Sequence, residues 1–162
     1  MGSHRSDTFP DGLATTVRAV MTAPVVSVAQ SDTVRNVIEK MVAGRISSLV
    51  VVGSEQQVVG MVSASDLLKV VLETDKTLDS DYPHFDDCLW AVDLIQRKLG
   101  SDKATEVMSE VVTTVDAEAT VRHAAALMRR SQLHHLPVVD SEGRLAGMLS
   151  SHDFVRLIAA LG

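Results

Sequence analysis

The sequence predicts an α+β protein made of two copies of one β-α-β-β-α unit. Two observations carry that expectation. The first is a constant offset of 87 residues that pairs Met21 with Met108, Val28 with Val115, Thr33 with Thr120, Met41 with Met128, Leu49 with Leu136, Gly60 with Gly147, Ser63 with Ser150 and Asp66 with Asp153. A fixed register over so many positions is the mark of an internal structural repeat. The second is that hydrophobic spacing changes from strand-like to helical and back at the same places in both copies.

Each copy opens on a short β-run, Val25 to Val28 and Val111 to Val115. A helix follows, with apolar residues at Val34, Val37, Ile38 and Met41 in the first copy and at Val121, Ala124, Ala125 and Met128 in the second. The i, i+3, i+4, i+7 spacing puts them on one face, and Thr33 and Thr120, or the residue before each, suit the N-cap. Two strands come next, Ser48 to Val52 with Val58 to Val62, and Leu136 to Val139 with Leu145 to Leu149. Gly, Asp and Ser in the intervening loops are hairpin signals. Pro137 should stand at a strand start or on an edge. Second helices are expected over Ala64 to Leu72 and Ser151 to Leu161. A unit this small leaves an apolar sheet face uncovered, so the copies should pack as a pseudo-two-fold pair.

The expected organisation is therefore an N-terminus over 1–14 that is tag-derived and disordered, a first repeat over 15–72, an inter-repeat segment over 73–101 and a second repeat over 102–162. Met1-Gly2-Ser3-His4 reads as a cloning remnant. Within the middle segment, Glu73 to Asp81 reads as a loop. A helix over 82–100 follows, with Pro83 in its first turn, Phe85, Cys88, Leu89, Val92, Ile95 and Leu99 at helical spacing, and Gly100 at its end. Asp81, His84, Asp86, Asp87 and Cys88 gather metal-capable groups there, but their spacing matches no metal motif, and no metal site is expected.

Composition narrows the function. Hydrophobic residues make up 46% of 162 and aromatics only 3%, so the core must be aliphatic and a bound base would have few rings to stack on. The net charge of −6, with Lys and Arg scattered, argues against nucleic acid as a partner. No apolar run approaches the ~20 residues that span a membrane, and no signal peptide is visible. The single cysteine, Cys88, fits a reducing compartment, so a cytoplasmic location is expected. No nucleophile elbow or cysteine–histidine pattern suggests catalysis, and an enzyme is not expected.

Gly60-Met61-Val62-Ser63-Ala64-Ser65-Asp66 and Gly147-Met148-Leu149-Ser150-Ser151-His152-Asp153 place a Ser-x-x-Asp at the start of a helix in each copy. Two readings are open. Ser-x-x-Asp is a near relative of the capping box, with Ser63 and Ser150 as N-caps. It also offers a carboxylate to a ribose diol, a hydroxyl to ribose or phosphate, and free helix N–H groups to an anion. A carboxylate has lone pairs enough for both.

The Val20-Met21 start, the "LPVVD" at Leu136 to Asp140 and the Gly-x-x-Ser-x-x-Asp runs together resemble the CBS (cystathionine β-synthase) domain, in tandem as a Bateman module. The resemblance covers about Val17 to Val71 and Ala104 to Leu161. It implies a stand-alone regulatory module that holds AMP, ADP, ATP or S-adenosylmethionine between its repeats, signals to an unidentified partner protein and forms a homodimer. Ser63, Asp66, Ser150 and Asp153 then match the family's ligand motif. His134, His135 and Arg45 stand where phosphate contacts are expected, with no more than one of the adjacent histidines pointing into a given cleft. Val26, Ile46, Met61, Leu133 and Met148 would line an aliphatic adenine slot. The alternative is a ligand-free interaction or scaffold protein of the same fold, because the first copy has Ser47-Ser48 where the second has His134-His135.

Overall fold

The computed structural model describes residues 14–77, 100 and 102–160, with the backbone alone over 71–77. The element order is α1 (Val17–Val20), β1 (Ser27–Ala29), α2 (Val34–Gly44), β2 (Ser48–Val52), β3 (Val58–Ser63), α3 (Ala64–Thr77), α4 (Ala104–Val107), β4 (Val115–Asp116), α5 (Val121–Ser131), β5 (His135–Val139), β6 (Leu145–Ser150) and α6 (Ser151–Ala160). Two three-stranded sheets result, β1-β2-β3 and β4-β5-β6, each with one parallel and one antiparallel pairing. The mixed α/β class and the repeated unit are as expected.

The chain divides into two compact units that do not follow the sequence copies. One comprises 1–25 with 113–162, the other 26–112. Each unit takes its leading short helix from the other copy. In the first, the Val17 N–H donates to Ala119 O (2.8 Å) and the Val121 N–H to Thr15 O (2.8 Å). In the second, the Ala104 N–H donates to Asp32 O (2.8 Å) and the Val34 N–H to Asp102 O (2.9 Å). The four-residue helices thus satisfy part of their own end groups and those of the neighbouring longer helix.

The cores are aliphatic. Val17, Val115, Ala124, Met128, Leu136, Val138 and Leu149 pack in the first unit, and Val28, Val37, Met41, Leu49, Val51, Val62 and Ala104 in the second. The buried helix positions are those that the apolar spacing picks out, with Val34, Val37 and Met41 on α2 and Val121, Ala124 and Met128 on α5. Thr33 and Thr120 cap these helices, accepting from the N–H groups of Asn36 (3.3 Å) and His123 (3.2 Å).

Three expectations are corrected. The first strands start later than the Val-rich runs, at Ser27 and Val115. Helix α3 continues to Thr77, so 73–77 is helical rather than loop, since nothing in Glu73-Thr74-Asp75-Lys76-Thr77 breaks a helix. Pro137 stands in the middle of β5, the central strand. It is tolerated there because its missing donor faces the β4 side, where pairing begins only at Val138, whereas the equivalent Val50 is already paired with Ser27. On the β6 side its partner Met148 turns its own N–H and C=O outward to Thr22. The expected 82–100 helix, apart from Gly100, and the acidic cluster around His84 lie outside the described residues.

The tight approach of a methionine explains the glycine that opens each Gly-x-x-Ser-x-x-Asp run. A Cβ on Gly147 would stand 2.9 Å from Met21 Cγ and 3.1 Å from Thr22 O, and one on Gly60 2.9 Å from Met108 Cγ and 3.2 Å from Ser109 O. The leading segments run on as edge additions to the sheets. Thr22 exchanges hydrogen bonds with Met148, and Ser109 with Met61.

Candidate functional site

The two Ser-x-x-Asp segments form the same structure. β3 runs straight into α3 and β6 into α6, so Ser63 and Ser150 stand at the strand-to-helix corner. Asp66 Oδ2 accepts from the Ser63 N–H (2.9 Å) and hydroxyl (2.5 Å), while the Asp66 N–H reaches Ser63 Oγ (3.4 Å). Asp153 Oδ2 accepts from the Ser150 N–H and hydroxyl, both at 2.8 Å. Both units thus have the half of the capping box in which the N3 side chain accepts from the N-cap N–H, with aspartate in place of glutamate, and at Ser63 the hydroxyl also accepts from the N3 N–H.

The second oxygen of each carboxylate meets a cation one turn on. Lys69 Nζ is 3.0 Å from Asp66 Oδ1, and Arg156 Nη1 is 3.5 Å from Asp153 Oδ1. The side chains of Lys69 and Arg156 are 68% and 69% exposed, against 12% for Asp66 and 4% for Asp153. A shielded carboxylate thus carries a long, solvated and easily displaced cation at its outer oxygen. Burial opposes ionisation of Asp66, but hydrogen bonds from the Ser63 hydroxyl and N–H and from Lys69 outweigh it and hold the carboxyl below its ordinary range. Lys69 and Arg156 were not among the expected site residues. The signal available for them was an Asp-x-x-Lys/Arg spacing on one helix face at the repeat offset.

The loop before the second strand of each copy closes on the same corner. The Ala64 N–H donates to Ser47 O (2.8 Å), and the Ser151 N–H to His134 O (3.0 Å). Ser48 pairs with Ser63 and His135 with Ser150 across the strands. His134 is exposed and His135 half-buried. Arg45 and Ile46 lie in the chain just before Ser47 in the second unit, and Leu133 just before His134 in the first. Arg45 is the left-handed C-cap of α2 (φ 51°), exposed, with its N–H bonded back to Met41 O and Val42 O. Ile46 is exposed, and Leu133 packs partly against the first unit's core. Of the adenine-slot residues, Val26 is exposed while Met61 and Met148 are half-buried, so none of the five is sealed in a core.

Asp153 and Arg156 also border an open groove of about 790 Å³ in the first unit, whose other walls include Met21, Thr22 and Leu157. The volume is within the range of small-molecule sites.

Burial pushes the His135 imidazole below its ordinary value, His134 adds to the shift and Asp153 opposes it. An unfolded imidazole takes its proton near pH 6.5 and the folded one only at lower pH. Stability is therefore full above that value and declines as pH falls from it through the folded pKa. His135→Ser should flatten this decline in melting curves recorded from about pH 5 to about pH 8. An unaltered slope would contradict the assignment.

Among the described residues no helix is long and apolar enough to cross a membrane, and no group of three or more His, Cys, Asp or Glu side chains is placed to hold a metal ion.

Comparison with known proteins places this arrangement. The family profile described as "CBS domain" matches residues 17–73 and 104–160. The chloroplastic CBS domain-containing protein CBSX1 of Arabidopsis thaliana is 27% identical over 134 residues, 80% of this chain and 57% of the relative, so the chain spans little more than half the length of that protein. The CBS domain of a CBS domain-containing membrane protein from Sphaerobacter thermophilus superposes with a TM-score of 0.70 at 27% identity, covering 90% of this chain and 88% of the other. CBSX2 of Arabidopsis thaliana, solved in complex with AMP, superposes with a TM-score of 0.69 at 25% identity, covering 90% and 97%.

Proposed function

The chain belongs to the CBS domain family, with two matched repeats, and from that premise we propose that it is a regulatory module that binds an adenosine-type ligand at its Ser-x-x-Asp corners. The carrying observation is the duplicated carboxylate, anchored through one oxygen and masked at the other by a displaceable cation. A ribose diol would take Oδ1 from Lys69 or Arg156, and the released cation would swing to phosphate or solvent. The helix N–H groups add donors, while the hydroxyls of Ser63 and Ser150, whose protons go to the aspartates, offer acceptor lone pairs. His134, His135 and Arg45 supply phosphate contacts, and Ile46 and Leu133 supply apolar surface for adenine. AMP bound to CBSX2 supports the ligand class. AMP, ADP, ATP and S-adenosylmethionine all fit it.

The protein would act by differential affinity. Ligand favours the state that a partner protein reads, with no catalytic step and in the cytoplasm. A homodimer is part of the same reading. Leu68 on α3 and Val155 on α6 are the same repeat position and both exposed, and with the exposed Ile158 they provide apolar surface for a second copy. A ligand-free interaction module is the competing reading. It draws on the fact that both oxygens of each carboxylate already have partners.

Thermal melts separate the two. A ligand among AMP, ADP, ATP and S-adenosylmethionine at ~100 times its Kd should add about 2.7 kcal/mol, a rise of roughly 5–10 °C for a chain of this size. No movement with any of the four at saturating concentration would favour the ligand-free module.

A further inference from the structure

The 87-residue offset reveals one consistent chemical difference between the two corners. Ser47, Ser48 and Ser65 surround the Ser63–Asp66 cap, and His134, His135 and His152 occupy the same three positions around Ser150–Asp153. The frame does not change. The loop residues 47 and 134 accept from the first helical N–H, and 48 and 135 pair across to the capping serine. Ser65 Oγ lies 2.8 Å from Ser63 Oγ, which shows that this helix position reaches the corner.

We propose that the three histidines make the Asp153 corner a proton-dependent, phosphate-selecting site, while the three serines leave the Asp66 corner indifferent to pH. The inference rests on the adenosine-ligand reading and adds what each corner selects.

A serine hydroxyl stays neutral across the physiological range, whereas imidazole gains a full charge near its ordinary pKa. A phosphate monoester carries a charge of about −1.5 to −2 near neutrality. Hydrogen bonds between charged partners are about twice as strong as neutral ones. His134 and His152 are exposed, and His135 is half-buried opposite Ser150, close enough to feel the charge of Asp153. Asp153 and Arg156 of α6 are the other charged groups at this corner, and the last turn of α5, which leads into the loop, carries Arg129 and Arg130. Guanidinium is charged at every pH of interest, whereas imidazole is the side chain whose ordinary charge change falls between about pH 5 and pH 8. With a net charge of −6 the chain as a whole repels a phosphorylated ligand, and local cations must decide the preference.

The test is isothermal titration of the full chain with AMP and with adenosine at about pH 6 and about pH 8, beside His134→Ser/His135→Ser/His152→Ser. From the higher to the lower pH, the AMP-over-adenosine preference of one class of sites should rise about tenfold in the natural chain and stay within about threefold in the triple variant. The phosphate's own titration is common to both and cancels. The exposed pair His134→Ser/His152→Ser, expected to lose most of the effect, serves if the triple variant does not fold. An equal pH response with and without the histidines overturns the inference while leaving adenosine binding in place. Absence of binding by both AMP and adenosine in the natural chain overturns the adenosine-ligand reading as well.

Discussion

Asp153→Ala is expected to lower the stability of the protein and to remove its response to nucleotide at the first unit's corner. The carboxylate is almost fully shielded and accepts from both the N–H and the hydroxyl of Ser150 at 2.8 Å. Removing it leaves those donors without a partner at the start of α6, a loss of about 1–3 kcal/mol or roughly 3–10 °C in melting temperature. Asp66→Ala should cost less, because its carboxylate is less shielded and water can replace it. Asp153→Asn separates fold from ligand. The amide oxygen still accepts from Ser150, so most of the stability should return, while the outer carboxylate oxygen offered to ribose is gone and the thermal response to AMP should stay reduced. A full AMP response in both Asp153 variants and in Asp66→Ala would remove the carboxylates from the site.

Gly147→Val carries the second large effect. A Cβ at this position meets Met21 Cγ at 2.9 Å and the Thr22 carbonyl at 3.1 Å. The methionine can rotate, but the carbonyl is held, because Thr22 and Met148 exchange hydrogen bonds of 2.9 and 3.0 Å. Overpacking of this kind costs about 1–3 kcal/mol. Gly147→Ala and Met21→Ala should be coupled by about 0.5–3 kcal/mol in a double-mutant cycle of urea unfolding, the pair being less harmful than the sum of the singles. Strict additivity would mean that the leading segment of the first copy does not rest on the sheet of the second.

That exchange was the part of the fold least legible in the sequence. A constant offset shows that Met21 and Met108 play one role, but not which glycine each covers, since the contact spans over a hundred residues in one case and about fifty in the other. Local physics was legible where it is local. Val34, Val37 and Met41 mark a buried helix face with Thr33 as its cap, and Val121, Ala124 and Met128 another with Thr120. Pro137 shows where a local rule gives way to its surroundings, because its central position is tolerated only through the shortness of β4. At the corner, the Ser-x-x-Asp pattern marked both functions open to it, and capping is seen directly. The masking cations were hidden because Lys69 and Arg156 look like ordinary solvated helix residues until the carboxylate beside each is found shielded.

The most direct measurement follows backbone amide resonances during an AMP titration. The amides of Ser63, Ser65 and Asp66, or of Ser150, His152 and Asp153, or of both sets, should move saturably, while those in the hairpin turns at Ser54 and Gly143 stay in place. Saturable binding whose shifts spare both corners and gather elsewhere on the chain would contradict the assignment of these carboxylates as the ligand's anchor.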